Sequence, residues 1–434
     1  MEWTLRFFAC LANIFLVILK PYFWIRDCKR PPKLPPANND LLNISAVKLA
    51  KKIRHGEVSS EQVIKTYIER IKKVNPLLNS VVENRFEAAL IDARQCDKML
   101  ALHEVTIQQL EEQMPFFGVP FTVKESCGLK GLSYTGCTTV REGIKANEDS
   151  LIVQSMKAAG AIPLCVTNTP ELCSGFETAN LLYGVTCNPY DGRHSAGGSS
   201  DLSGSIRIPA LFNGIFGHKP TPVLGPMARY AEDLHAAVKV MSSGCKVNLR
   251  LDEPVNLAKL KVFYLENVEK NCGVKSVDGE IRNAIRRAVT HFEKLGAKVD
   301  KAIIPELLES SEIGILKLLT IPDVPNILIH PKDPKQMLGD DSVFIYPTFP
   351  TPAPRFGQIV LQTAAGMYSL LCNILGLPAT EVPMGLNHQG LPIGFQVIIL
   401  LFPKIITSIY KYLLLIRLSL HQIMTDFVWL WRWN

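Results

Sequence analysis

Five serines and three glycines fall in one short stretch, His194-Ser195-Ala196-Gly197-Gly198-Ser199-Ser200-Asp201-Leu202-Ser203-Gly204-Ser205. Glycine lets a backbone come close to a ligand and turn its N–H groups inward. Serine beside it supplies hydroxyl oxygens. The combination points to acyl transfer by a serine nucleophile seated in its own oxyanion pocket. The bland alternative is a flexible Gly/Ser linker. The continuation through Ile206, Ile208, Leu211, Phe212, Ile215 and Phe216 speaks against a linker, because it turns directly into core-type sequence. A serine nucleophile needs a base. His194 and His218 flank the stretch, but no Asp or Glu partner can be assigned to either. Lys124 is the better candidate. It ends the apolar, strand-like run Phe116–Val123, where lost hydration favours the neutral, proton-accepting amine. A serine–lysine pair is a known variant of triad logic.

The elements that must position these groups read as alternating strands and helices. Residues 150–159 are helical in pattern and residues 161–167 are a strand that delivers Asn168, Thr169 and Glu171, where strand ends usually carry function. Glu171 reads equally well as a helix-start charge. Upstream, Ser45 caps a helix that stops near Gly56, and Ser59 with Gln62 opens a second that Asn75-Pro76 ends. A further helix spans 85–100, and 106–113 reads as a polar surface connection. Downstream come a helix over 231–241, a strand over 259–264, a basic amphipathic helix over 278–295 with a solvated charged face, and strands over 298–304 and 390–397.

Several segments, in order, resemble the amidase signature family. They are Val123-Lys124-Glu125, Gly197-Gly198-Ser199-Ser200 and Asp201-Leu202-Ser203-Gly204-Ser205-Ile206-Arg207-Ile208-Pro209. The stretch 160–168, Glu171 and Asn188-Pro189-Tyr190 agree. Residues 212–220 and 225–234 are similar to the fatty-acid amide hydrolase branch of that family, and the resemblance runs in pieces over about residues 40–397. It implies an α/β amidase-signature fold, a mixed, mostly parallel sheet with helices on both faces. It also implies a Ser-Ser-Lys triad: Ser205 as the acylated nucleophile, Ser199 bridging it to Lys124, and the N–H groups of Leu202, Ser203, Gly204 and Ser205 as the oxyanion hole. The substrate class implied is a lipid amide, with no cofactor. This chain departs from the family pattern in several ways, one being that Thr221-Pro222-Val223-Leu224 reaches Gly225 where the family has more chain. Ser203 stands where the family has glycine. Only six residues separate Ser199 from Ser205, where the family places a helix and a strand. Residues 305–337 are short prolines and apolar runs where the family carries a longer segment.

Charge and hydropathy divide the chain into three parts: residues 1–35, an amidase domain over 40–397 with apparent internal deletions, and an apolar, non-matching tail over 398–434. The net charge of +7 is not spread evenly. Residues 1–35 carry six Lys/Arg against Glu2 and Asp27, and residues 404–434 carry four against Asp426, which leaves the body neutral. A neutral body excludes a nucleic-acid partner on charge grounds. Phe7–Leu19 is apolar apart from Asn13, and Trp3, Tyr22, Phe23 and Trp24 sit at its ends, so a single-pass N-terminal membrane anchor is expected. A cleaved signal peptide is the alternative, and Lys20-Pro21-Tyr22-Phe23-Trp24 lacks the small residues for cleavage. Arg26, Lys29, Arg30 and Lys33 follow the apolar run and put the body on the cytosolic side of the endoplasmic reticulum or another intracellular membrane. The tail reads equally as a second membrane-associated helix or as a segment without evolved structure. Eleven cysteines without a C-x-x-C pair give neither a metal site nor a disulfide framework. A homodimer is compatible with the sequence. The readings carried forward are a membrane-associated serine amidase, a catalytically impaired amidase-like protein or incomplete gene product, and an ester hydrolase or acyltransferase using the same acyl-enzyme.

Overall fold

The computed structural model describes residues 11, 14–15, 17–28, 31–198, 204–220, 224–244, 251–252, 256–268, 276–304, 342–359, 362, 365–374 and 376–399. Most of the expected anchor's first half, the segment 305–337 and the tail from residue 400 lie outside them.

Helix α1 (Lys20–Arg26) begins with Pro21 in its first turn. Its hydrogen bonding extends back to Phe15, whose carbonyl accepts from Leu19 N at 2.8 Å. Helices α2 (Ala46–Arg54) and α3 (Ser60–Leu78) start where the serines predict: Ser45 accepts from Lys48 N and Ser59 from Gln62 N. Such caps are each worth about 1 kcal/mol. Contrary to expectation, α3 passes through Pro76 to Leu78, with Asn79 in the left-handed conformation. A proline in the last turn forfeits only one helical bond. Asn75 captures the emerging chain instead, its Oδ1 accepting from Ser80 N at 2.9 Å and Val81 N at 2.8 Å. The expected surface connection at 106–113 is also a helix: after strand β1 (Val81–Asn84) and helix α4 (Phe86–Ala101), α5 spans Ile107–Gln113. A reciprocal Thr106–Gln109 capping box starts α5, and buried Leu110 holds it.

Strand β2 (Pro120–Lys124) is shorter than the apolar run suggests, because Gly118 turns the chain at φ +73° just before it. Helix α6 (Leu151–Ala158) and strand β3 (Ile162–Thr167) follow. β3 lies between β1, antiparallel, and β2, parallel, in a small sheet that brings Lys124 opposite Thr167. Beyond a two-stranded ribbon, β4 (Ala179–Asn180) with β5 (Gly184–Val185), come α7 (Arg207–Asn213), β6 (Phe216–Lys219), β7 (Met227–Ala228) and α8 (Ala231–Met241). The remainder is β8 (Lys261–Tyr264), α9 (Gly279–Lys294), β9 (Lys298–Lys301), β10 (Ser342–Tyr346), α10 (Met367–Ile374), β11 (Ala379–Leu386) and β12 (Pro392–Ile399).

The large sheet has the order β7-β6-β11-β12-β10-β8-β9. It is mixed, as expected, but not mostly parallel: β10, β8 and β9 run parallel, and the other neighbours, including the β6–β7 and β11–β12 pairs, are antiparallel. The period of two along β12 separates its faces. A Cβ on Gly394 would run into Glu381 Oε1 and Val382 O of β11 and lie 3.3 Å from Leu211 of α7, and Gln396 reaches the Arg207 side chain, so these positions look toward α7. Ile393, Phe395 and Val397 join Ile281, Ile285, Ala288 and Phe292 of α9 in the main core. The amphipathic spacing of α9 thus buries one stripe and leaves Arg286 outside, where it meets Glu266 at 2.6 Å. β12 continues two buried residues past Val397, so Ile398 and Ile399 belong to the core rather than to the tail.

Candidate active site

Lys124 is the last residue of β2 and is half-buried. The strand register fixes it. Glu125 N donates to Thr167 O at 2.9 Å, and Lys124 O accepts from Cys127 N at 2.8 Å, which turns the chain immediately after the lysine. Glu125 is fully buried beside it. Its Oε1 accepts from Thr135 N at 2.6 Å, Thr135 Oγ1 at 2.6 Å and Ser133 Oγ at 3.1 Å. Three donors on one oxygen stiffen the loop that leaves β2.

The adjacent strand β3 hands over to a loop, 168–180, that is also held tightly. Asn180 Nδ2 donates to Asn168 Oδ1 at 2.7 Å and to Thr169 O at 2.8 Å. Within the loop, Leu172 and Cys173 both take positive φ, 49° and 56°. Such a backbone is costly for these residue types and persists only where surroundings impose it. Here Leu172 N is bound to Gly136 O at 2.8 Å. Glu171 opens the single turn that contains this strain, which matches its reading as a turn-start residue and leaves a role in the site open.

The other side of the same loop meets the serine-rich stretch. A Cβ on Gly198 would lie 2.3 Å from Gly175 O and 2.5 Å from Glu177 N, so only glycine fits. Gly197, at φ +83°, packs 2.6 Å (ideal Cβ) from Pro209 Cα. Thr178 Oγ1 donates to Gly197 O at 2.7 Å. Glycine density therefore serves close backbone approach, as the sequence suggested. Ser199, Ser200, Asp201, Leu202 and Ser203 lie outside the described residues, so the bridging serine and two of the four expected oxyanion donors are not located. Gly204 and Ser205 are described: they form the turn that opens α7, with Gly204 O accepting from Ile208 N at 3.0 Å. Gly204 sits at φ +122° with Ser369 Cβ only 2.6 Å from where its own would be. Ser205 is half-buried.

The two histidines take other roles. His218 Nδ1 pairs with Thr380 Oγ1 at 2.9 Å inside the large sheet, and burial, with the neighbouring Lys219 and Arg207 charges, pushes it down to about 3. His194 Nδ1 sits 2.6 Å from Ala353 O, and burial lowers its proton affinity.

Sequence reasoning passed over Arg207, two residues after Ser205. It is fully buried, and among the described residues no carboxylate is bonded to it. Nη1 donates to Gln396 Oε1, and Nη2 to Ser369 O at 2.7 Å and Asn373 Oδ1 at 2.8 Å. Because Ser369 also abuts Gly204, Arg207 ties α10 to the turn that holds Ser205. The available signal was a charge between Ile206 and Ile208, where the pattern calls for apolar residues. Nearby Glu381 is equally buried, hydrogen-bonded to Thr348 Oγ1, and burial raises its pKa well above the usual carboxylate range. Among the described residues no cluster of His, Cys, Asp and Glu could hold a metal ion.

The amidase family profile matches residues 62–321. Fatty-acid amide hydrolase 2-B of Danio rerio is 34% identical, covering 85% of this chain and 88% of the relative. The chain belongs to the amidase family. Fatty-acid amide hydrolase 2 of Homo sapiens is 33% identical over 84% of this chain and 87% of its own. The zebrafish alignment runs over 466 positions, more than the 434 residues present here, so that relative carries internal segments opposite gaps in this chain. Among solved structures, a fatty acid amide hydrolase superposes with a TM-score of 0.68 at 20% identity, covering 86% of this chain and 84% of the other. A 6-aminohexanoate cyclic dimer hydrolase gives 0.66 at 21% identity, covering 87% and 96%. At that identity the superpositions establish the fold alone, and it is the expected amidase-signature α/β fold.

Proposed function

We propose that this amidase-family hydrolase cleaves fatty-acid amides through Ser205, Ser199 and Lys124. In this reading neutral Lys124 Nζ accepts the Ser199 hydroxyl proton as Ser199 accepts that of Ser205. The Ser205 oxygen then bonds to the amide carbonyl carbon. The N–H groups of Leu202, Ser203, Gly204 and Ser205 donate to the oxyanion. The relay returns the proton to the amide nitrogen, the amine leaves, and water hydrolyses the acyl-enzyme. One observation carries the reading: the loop 168–180 leaves the strand beside Lys124 and packs directly on Gly197 and Gly198, which lead into the serines. A single rigid loop therefore supports both halves of the constellation.

The same proposal places the enzyme on an intracellular membrane through its N-terminal segment. Support comes from the exposed apolar surface of Phe15, Val17, Ile18, Tyr22, Trp24 and Ile25. Among the described residues no helix is long and apolar enough to cross a membrane. A competing reading, an amidase fold without turnover, draws on the internal segments the relatives carry and this chain lacks.

A fluorophosphonate probe separates the two. Labelling of Ser205 that disappears in Ser205→Ala and slows at least about a hundredfold in Lys124→Ala supports the triad. Folded protein that takes no label overturns it. Comparing release from matched amide and ester substrates tests the substrate bond, and flotation with liposomes tests the membrane.

A further inference from the structure

Helix α1 is not merely apolar; it is clamped to the body. Asp27, which follows it, is buried and accepts from Arg26 Nε at 2.8 Å and Arg355 Nη1 at 3.0 Å, while its carbonyl accepts from Arg193 Nη1 at 3.3 Å. Arg26 Nη1 donates to Phe356 O at 3.0 Å, and Phe23 covers Gly357, whose Cβ would stand 3.7 Å from its ring. Residues 353–357 thus form a strap under α1. The strap lies along residues 193–195: Ser195 N donates to Pro354 O at 2.9 Å and Phe356 N to Arg193 O at 3.3 Å. Its far end is tied by Glu177, whose carboxylate takes Gly357 N at 3.0 and 3.2 Å. Glu177 and Thr178 therefore point to two sides. One side chain holds the strap, and the next holds Gly197 O.

We infer that Glu177 is a positioning residue for the nucleophile loop and that Asp27 and α1 are its outer support, so that the N-terminal helix is a working part of the amidase site. The inference rests on the acyl-transfer reading above. The strap bonds residues 193 and 195, the loop 175–178 packs on residues 197 and 198, and this stretch leads into Ser199 and Ser205. Loosening either side displaces the entry to the loop without touching substrate. A displacement of the order of 1 Å at a reacting group costs about a hundredfold in rate. The Glu177 carboxylate is kept partly dehydrated, and burial pushes its pKa up, against the Gly357 N–H and the Arg26 charge. An amide oxygen at the same place accepts the same bond.

The test compares Glu177→Ala with Glu177→Gln in the full chain. The readouts are fluorophosphonate labelling rate per folded molecule, kcat and KM on a short soluble amide, and amide hydrogen exchange of the 193–198 segment. Glu177→Ala should label at least about tenfold more slowly, the loss falling in kcat with KM nearly unchanged, and its 193–198 amides should exchange faster. Glu177→Gln should stay within about threefold of the parent by restoring the Gly357 bond. Asp27→Asn, which weakens only the outer support, should slow labelling about two- to threefold. Equal labelling and exchange in parent and Glu177→Ala overturn the inference while the acyl-transfer reading stands. So does a Glu177→Gln enzyme as slow as the alanine variant. If the parent takes no label, the acyl-transfer reading falls instead. Exchange at 193–198 then decides, and rates unchanged in Glu177→Ala overturn the inference. Should Glu177→Ala fail to fold, Asp27→Asn with parental labelling and exchange overturns it.

Discussion

Two arginine-centred networks flank the residues 193–207 that hold the proposed nucleophile, and they are built on opposite electrostatic plans. Under α7, buried Arg207 is held by neutral acceptors: the Gln396 and Asn373 amide oxygens and the Ser369 carbonyl. The buried carboxyl of Glu381, which feels the Arg207 charge, bonds to Thr348 and is driven by burial towards its protonated form. Beside α1 the order is reversed. Asp27 keeps its charge because Arg26 and Arg355 outweigh the burial that works against it, leaving its pKa below the ordinary value. Water explains the difference. In the core a second charge costs more in dehydration than pairing returns. At the half-open edge Arg26 and Arg355 stay partly hydrated, so a carboxylate can gather cations cheaply. The core network should be strong and indifferent to salt. The edge network should be weaker and tunable.

The sharpest way to break this contrast is Arg207→Ala. It strips the Gln396 and Asn373 oxygens of their donor inside the core, and we expect about 3–5 kcal/mol of lost stability, read from denaturant midpoints and unchanged between low salt and 0.5 M NaCl on the order of a few tenths. A strongly salt-dependent loss would erase the distinction. Gly198→Ala should follow. It forces a methyl onto the Gly175 carbonyl and the Glu177 N–H, costing about 1–3 kcal/mol and slowing labelling of Ser205.

Next comes Glu381→Gln. The folded-state pKa of this group lies well above its unfolded value, so the folded protein binds the extra proton. Its contribution is fully present below about pH 4.5 and is lost as pH climbs toward the folded value. The glutamine variant should therefore lose less stability between pH 5 and 8 than the parent, followed by thermal midpoint. A steeper decline in the variant would contradict the assignment. Asp27→Asn should have the smallest effect, about 1 kcal/mol or less at low salt and shrinking as salt is added. In the parent, the Asp27 contribution is present above its unfolded pKa and fades as pH falls through the lower folded value.

The sequence exposed these features unequally. Ser45, Ser59 and the strand that ends at Lys124 were legible because caps and apolar runs act within a few residues. Glycine at 197 and 198 announced close packing, though not its partner, since Gly175–Glu177 arrives from another part of the chain. Pro76 misled because the compensating bonds come from Asn75, a side-chain contribution that no proline rule counts. The 106–113 helix was hidden by its polarity: a single buried Leu110 is too little pattern for periodicity to register. Arg207 was passed over although it is a charge in an apolar run, because its neutral acceptors lie more than 160 residues away. Asp27 entered only as one negative charge in a basic segment; beside the neighbouring Arg26, its partners Arg355 and Arg193 come from far along the chain.

That last separation has a timing consequence. Asp27 and Arg355 are 328 residues apart. At a ribosomal pace of about 5–20 residues per second, α1 leaves the exit tunnel roughly 15–70 s before its cationic partner is made. During that interval the helix has no body to dock on, and its tyrosine, tryptophan and isoleucine side chains are open to chaperones, targeting factors or a lipid surface. The clamp closes only after Arg355 and Phe356 are made. The helix is thus exposed early in synthesis, and the contact that ties it to residue 355 forms late.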